Sequence, residues 1–266
     1  GGCYAGRNIV AGLVDKVQCT FSHEVSKTSP KFLNPHGSLR NSTKLAFTLA
    51  EVLITLAVIG VVAALTLPTL IQKQQEKAIV SQLKEFYSIF QQALMLAREE
   101  KGDYYSQNNT AAFYNYIKPY LKIQKDCVQE IGCFPDVMIK TLDGADWVNI
   151  NTYSHYQKLI LANGALLQIY NGRDWADRAE IRVDVNGFKK PNTLGRDIFY
   201  FTIENNNIIP KGLMEDVRPF ETHCSPSSKI EYNGDSCTAW VIFNENIDYL
   251  HCDDLSWNGK RKCSQN

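Results

Sequence analysis

From Val52 to Ile71 the chain runs twenty residues without a charge. A helix of about 20 apolar residues is what a bilayer core requires, so the run predicts a membrane-crossing or filament-core helix rather than an ordinary surface element. Glu51 stands at its mouth. An acidic residue costs about 2.5–3.5 kcal/mol at the centre of a membrane helix and less near its end. A plain anchor has no need of that cost, which makes Glu51 a candidate functional residue in want of a cationic partner. On this residue alone, a carboxylate snorkelling at the interface of a signal anchor is an equal alternative.

The neighbouring residues favour the first reading. Ala46-Phe47-Thr48-Leu49-Ala50-Glu51 followed by the apolar helix resembles the processing site of type IV prepilins and type II secretion pseudopilins. In that family a prepilin peptidase cuts before a Phe and methylates the new amine. Counted from Phe47, Glu51 is the fifth residue and Pro68 the twenty-second, the positions at which the family carries a glutamate and a proline. The resemblance covers Ala46 to about Arg98, and the C-terminal half matches only loosely. It implies cleavage between Ala46 and Phe47 and methylation of Phe47. The residue before the cut is usually Gly in the family; Ala46 is small enough for the same subsite. A free amine has a reference pKa of about 7.7–8.0, so it can pair with Glu51 of a neighbouring subunit and set register in a filament core.

Overall charge is balanced, with 28 Lys+Arg against 28 Asp+Glu, and points to no nucleic-acid partner. Residues 1–46 hold six basic side chains (Arg7, Lys16, Lys27, Lys31, Arg40, Lys44) and two acidic ones (Asp15, Glu24), in keeping with a cytoplasmic leader. Lys73, Lys77 and Lys84 follow the helix, so charge alone does not orient it. Through the resemblance, residues 1–46 are expected to be an extended leader that is removed. The helix then sits in the inner membrane as a single pass with a periplasmic domain.

Beyond the helix are Cys127, Cys133, Cys224, Cys237, Cys252 and Cys263. An even number outside a membrane anchor suggests disulfides. Six cysteines allow 15 connectivities; the short loops Cys127–Cys133, Cys224–Cys237 and Cys252–Cys263 are the simplest. No spacing is of the CxxC kind that marks zinc.

The expected fold is α+β, a long N-terminal helix on an antiparallel sheet with a disulfide-stapled tail. Residues 47–71 form the apolar half of the helix, bent at Pro68, with Thr66 and Thr69 helping to satisfy the freed carbonyl. Residues 72–102 form an amphipathic half in which Ile79, Leu83, Phe86, Phe90, Ala93 and Ala97 share one face. Gly102 ends it. Residues 103–266 form the globular part. Phe113–Ile123 reads as a short helix, and strands are expected beyond Val137. Lys158–Ala162 and Ala165–Tyr170 flank Asn163-Gly164, a hairpin signal. Glu180–Val185 and Asp197–Ile203 alternate apolar and polar residues. Thr238–Leu250 suits either strand or helix, and Trp257 suits either an exposed contact or the core.

Between two of these strands lie Asp184, Asn186, Asn192 and Asp197, four side-chain oxygen donors in a glycine-bearing loop. Calcium takes six to eight oxygens. Some pseudopilins hold calcium in a loop beside their sheet, and the stretch is similar in position though not in spacing. The plain alternative is a loop in which Asp and Asn bond their own backbone.

No GxSxG, HExxH, Walker or dinucleotide fingerprint occurs, so no enzyme is expected. The resemblance implies a structural subunit of a type II secretion pseudopilus or type IV pilus-like filament. Its partners would be the prepilin peptidase, other pilin subunits and an inner-membrane assembly platform. The alternatives are a minor pilin that binds through its cysteine-rich tail, and a signal-anchored periplasmic protein that never polymerises.

Overall fold

The computed structural model describes residues 48–104, 110–170 and 179–263. The expected leader, Ala46 and Phe47 lie outside them. Two compact units divide at Val52 and Leu53. Of the first, residues 48–52 are described; they open a helix. The second contains the rest of that helix and all the elements that follow it.

Helix α1 is Leu49–Lys101 and continues through Pro68. It ends at Gly102, whose positive φ of 78° is the left-handed conformation that closes helices. Its two halves have opposite surroundings. Leu53, Ile54, Ile59, Leu65 and Ile71 each leave more than half of their surface exposed, whereas Leu83, Phe86, Phe90, Ala93, Leu94 and Ala97 are buried. The change follows the sequence: apolar residues lie all round the first half and on one stripe of the second.

Helix α2 is Thr110–Ile117. The expected helix over Phe113–Ile123 is therefore shorter. Lys118–Tyr120 tightens into a 3-10 turn around Pro119, and Ile123 already belongs to strand β1, Ile123–Val128. Strands consequently begin earlier than expected. The main sheet continues with β4 (Gln157–Leu161), β5 (Leu166–Tyr170), β6 (Ala179–Asp184), β7 (Ile198–Glu204) and β8 (Asn207–Pro210), in the order β1-β4-β5-β6-β7-β8, antiparallel throughout. Asn163-Gly164 forms the turn between β4 and β5, with Gly164 at φ 88°. A small pair, β2 (Ile139–Lys140) and β3 (Asp146–Val148), stands apart.

Side chains alternate across the main sheet. On one face Leu159, Leu167, Ile169, Ile181, Val183, Phe199 and Phe201 form one core with the buried stripe of α1. Phe86 lies at the join, its ring 5.6 Å from Phe90 and 5.5 Å from Phe201. The other face is also covered. Ile160, Leu166, Ile198 and Tyr200 pack on Phe134, Ile139, Ile150 and the Cys127–Cys133 pair. Polar side chains on this face are buried as a result, among them Lys158, whose Nζ donates to the Asn151 carbonyl at 2.6 Å. Burial holds its ammonium pKa below the ordinary lysine value. The alternation in β6 and β7 thus does not mark a solvated face.

The tail resolves into helices α3 (Phe220–His223) and α4 (Thr238–Asn244) and a 3-10 turn at Asp248–Leu250. Trp240, fully buried, stacks on Phe220 at 4.1 Å. Trp257 joins this group 5.2 Å from Trp240, and its Nε1 donates to the Gly212 carbonyl at 2.9 Å.

Candidate functional site

At the start of α1, Glu51 is engaged within its own chain. Its Oε2 accepts from the Thr48 amide and from Thr48 Oγ1, both at 2.9 Å, and Thr48 Oγ1 in turn accepts from the Glu51 amide at 3.2 Å. This reciprocal arrangement is a capping box, which satisfies N–H groups that the first helical turn leaves open. The signal is legible as Thr-x-x-Glu ahead of an apolar run, and a reading of Glu51 solely as a charge awaiting a partner overlooks it.

At Pro68 the missing N–H releases the carbonyl of Ala64. Thr66 Oγ1 donates to the Val62 carbonyl and Thr69 Oγ1 to the Thr66 carbonyl, both at 2.9 Å. The two hydroxyls thus engage carbonyls other than the one that proline frees, contrary to expectation. A threonine on a helix reaches back to its own preceding turn, and these positions select Val62 and Thr66.

Disulfides join Cys127 to Cys133, Cys224 to Cys237 and Cys252 to Cys263, the short-loop pairing. His223 and His251 therefore have no free thiol beside them. His251 Nε2 instead lies 2.8 Å from Glu76 Oε1 of α1, and Asp248 Oδ2 accepts from the Cys263 amide at 2.9 Å. The last staple so fixes the tail near residue 76 of the helix.

The four candidate cation ligands come together. Asp184 ends β6, Asp197 immediately precedes β7, and both are fully buried. Asp197 Oδ2 accepts from the Asn192 amide at 2.8 Å and from Asn186 Nδ2 at 3.1 Å; its Oδ1 accepts from the Thr193 amide at 2.7 Å. Asp184 Oδ1 accepts from the Asn186 amide at 3.2 Å. Three buried oxygens remain without a partner: Asp184 Oδ2, Asn186 Oδ1 and Asn192 Oδ1. Asp184 and Asn192 also line a small cavity of about 10 Å³ with apolar walls from Phe134, Ile150 and Ile198, near the lower limit for one water-sized occupant.

Burial, reinforced by the neighbouring Asp197, pushes the Asp184 carboxyl well above the usual range. Burial likewise raises Asp197 to about 6, against the opposing pull of its N–H donors. Two carboxylates this close and this dry need a proton or a cation between them. The donor set fits a hard, oxygen-seeking cation. Among the described residues no three His, Cys, Asp or Glu side chains converge, so amide and backbone oxygens would complete the shell.

Comparison of the chain with protein-family models, with curated proteins and with solved structures gives no match.

Proposed function

We propose that the chain is a pilin-like filament subunit: cut between Ala46 and Phe47, methylated on Phe47, and polymerised through its N-terminal helix into a type II secretion pseudopilus or a type IV pilus-like filament. The observation that carries this reading is the divided character of α1. Its second half is docked on the sheet, while most apolar residues of its first half are exposed among the described residues. Such a rod is stable in a bilayer or against copies of itself, and a subunit that moves from membrane to filament needs both. Docking of the second half then carries each globular domain to the outside of a helical bundle. Hydrophobic burial drives the bundling, and the acid at Glu51 pairs with the Phe47 amine of a neighbour to fix register.

The capping box refines that role. Glu51 is held by Thr48 in the single chain, so pairing with a neighbour's amine exchanges or shares these bonds. Asp184, Asp197, Asn186 and Asn192 would hold calcium as a structural ion, neutralising the carboxylate pair and fixing the connection between β6 and β7.

The test is intact-mass and N-terminal analysis of membrane-extracted protein from cells with and without the prepilin peptidase. A chain beginning at methylated Phe47 only when the peptidase is present is the expected result. An uncut chain in both would overturn the reading in favour of a signal-anchored protein that does not polymerise.

A further inference from the structure

On the sheet face away from α1, beyond the cover provided by the β2–β3 layer, lies an open cavity of about 290 Å³. Its walls are chiefly aromatic, from Trp147, Tyr153, Tyr156 and Tyr200, and two charged side chains of β6, Glu180 and Arg182, line it as well. The strand's period of two puts this acid and this cation on the same face, one position apart in that face's row.

Arg182 determines what the cavity can accept. Its guanidinium carbon lies 4.9 Å from the Trp147 ring centre, 5.1 Å from Tyr156 and 4.5 Å from Tyr200. It therefore occupies the aromatic cage itself, and a quaternary ammonium ligand has no room there. Its Nη1 donates to Gln168 Oε1 at 2.9 Å and its Nε is buried without a partner, which leaves Nη2 as the group that can reach a ligand; among the described residues it forms no ion pair. Arg218, which also lines the cavity, differs, being paired with Asp235 at 2.6 Å. A cation held among three rings, an acid on the same strand and the exposed Tyr153 make a mixed wall: apolar ring surface edged by both donors and acceptors.

We infer that this cavity binds a pyranose saccharide. A sugar ring has an apolar C–H face and a rim of hydroxyls that both donate and accept. The first suits the ring of Tyr153, which is exposed at the cavity edge and not covered by Arg182, while the second suits Arg182 as donor and Glu180 as acceptor. Wholly apolar ligands strand the polar rim. The volume is at the small end of ligand cavities, which suits a sugar ring and excludes a broad polymer face. Nothing in this site depends on filament assembly, so it stands apart from the function proposed above.

The test uses the full chain in lauryldimethylamine oxide micelles, which carry no sugar. Glucose, galactose, N-acetylglucosamine, glucuronate and cellobiose are titrated by saturation-transfer NMR and by tryptophan fluorescence. At least one is expected to saturate in the millimolar range or below. Tyr153→Ala and Glu180→Gln, both at the solvent edge, are expected to weaken it about threefold to tenfold, the loss of a hydrogen bond or ring contact, with an unchanged unfolding midpoint. Phe243→Ala, an exposed aromatic outside the cavity, leaves affinity unchanged. Absence of saturation by every sugar overturns the inference. So does saturation that is insensitive to Tyr153→Ala and Glu180→Gln, or a preference for simple phenols over all five sugars.

Discussion

The opposite surroundings of the two halves of α1 make a quantitative prediction. Phe86 is fully buried and contacts the rings of Phe90 and Phe201. Phe86→Ala removes a ring from a packed helix–sheet join, a change that costs about 3–5 kcal/mol when the cavity cannot collapse. Rings on both sides hold the site open, so the upper part of that range is expected. For a domain of this size a Tm falls about 2–4 °C per kcal/mol, so a cost of about 4–5 kcal/mol gives a drop of roughly 8–20 °C. Leu65→Ala, at 73% exposure in the single chain, removes as many apolar atoms as many a core substitution. It should nonetheless leave the midpoint within about 0.5 kcal/mol and instead impair filament formation. Urea and thermal unfolding of the full chain in micelles, followed by near-ultraviolet circular dichroism, reads the first effect. Pelleting of sheared filaments reads the second. Equal destabilisation by both substitutions, or none by Phe86→Ala, would falsify the division of the helix into a docked half and an assembling half.

At Glu51 the charge and the cap can be separated. Glu51→Gln keeps a capping-box residue and loses the charge, while Glu51→Ala loses both; if register is set by charge, both abolish incorporation, and normal assembly of the Gln variant assigns Glu51 to capping alone. Cys252→Ser with Cys263→Ser opens a loop whose ends are 11 residues apart and should cost about 2–3 kcal/mol, seen as tail cleavage by trypsin ahead of the rest of the domain. Calcium should raise the midpoint and chelator lower it in the native chain, and Asp184→Asn should abolish the difference. With chelator present, Asp184 and Asp197 keep protons in the folded state that the unfolded chain releases near pH 4. Stability then falls as pH rises from about 4 towards 6, by up to about 1.4 kcal/mol per unit for each retained proton. Asp184→Asn should remove one share of that slope, and a slope it leaves untouched speaks against the carboxylate pair.

Much of this was written locally. The exposed and docked halves of α1 follow from residues apolar all round in one stretch and on a single stripe in the next, because a helix displays its sequence at a fixed period. The Asn163-Gly164 turn, the stop at Gly102 and the meander of strands are likewise local, since each depends on a few neighbouring φ/ψ preferences. Short loops made the disulfide pairing the simplest of many, and the capping box was legible though easily missed.

Tertiary structure alone decided what lies against the second face of the sheet. Alternation in β6 and β7 distinguishes two faces but carries no record of a distant layer, so the burial of Lys158, Arg182 and Asp184 depends on residues 127–151 arriving from elsewhere in the chain. The same arrival converts Asp184 and Asp197 from ordinary loop acids into a dry pair with raised pKa values, and it leaves uncovered the aromatic cavity around Arg182. Sequence by itself determined the helix, its two characters and the hairpin and strands from residue 158 to 203, because these rest on periodicity and backbone preference; the placing of β1 beside β4 did not follow from it. Structure decided which polar groups lose water, because desolvation depends on what packs above a residue, not on what precedes or follows it.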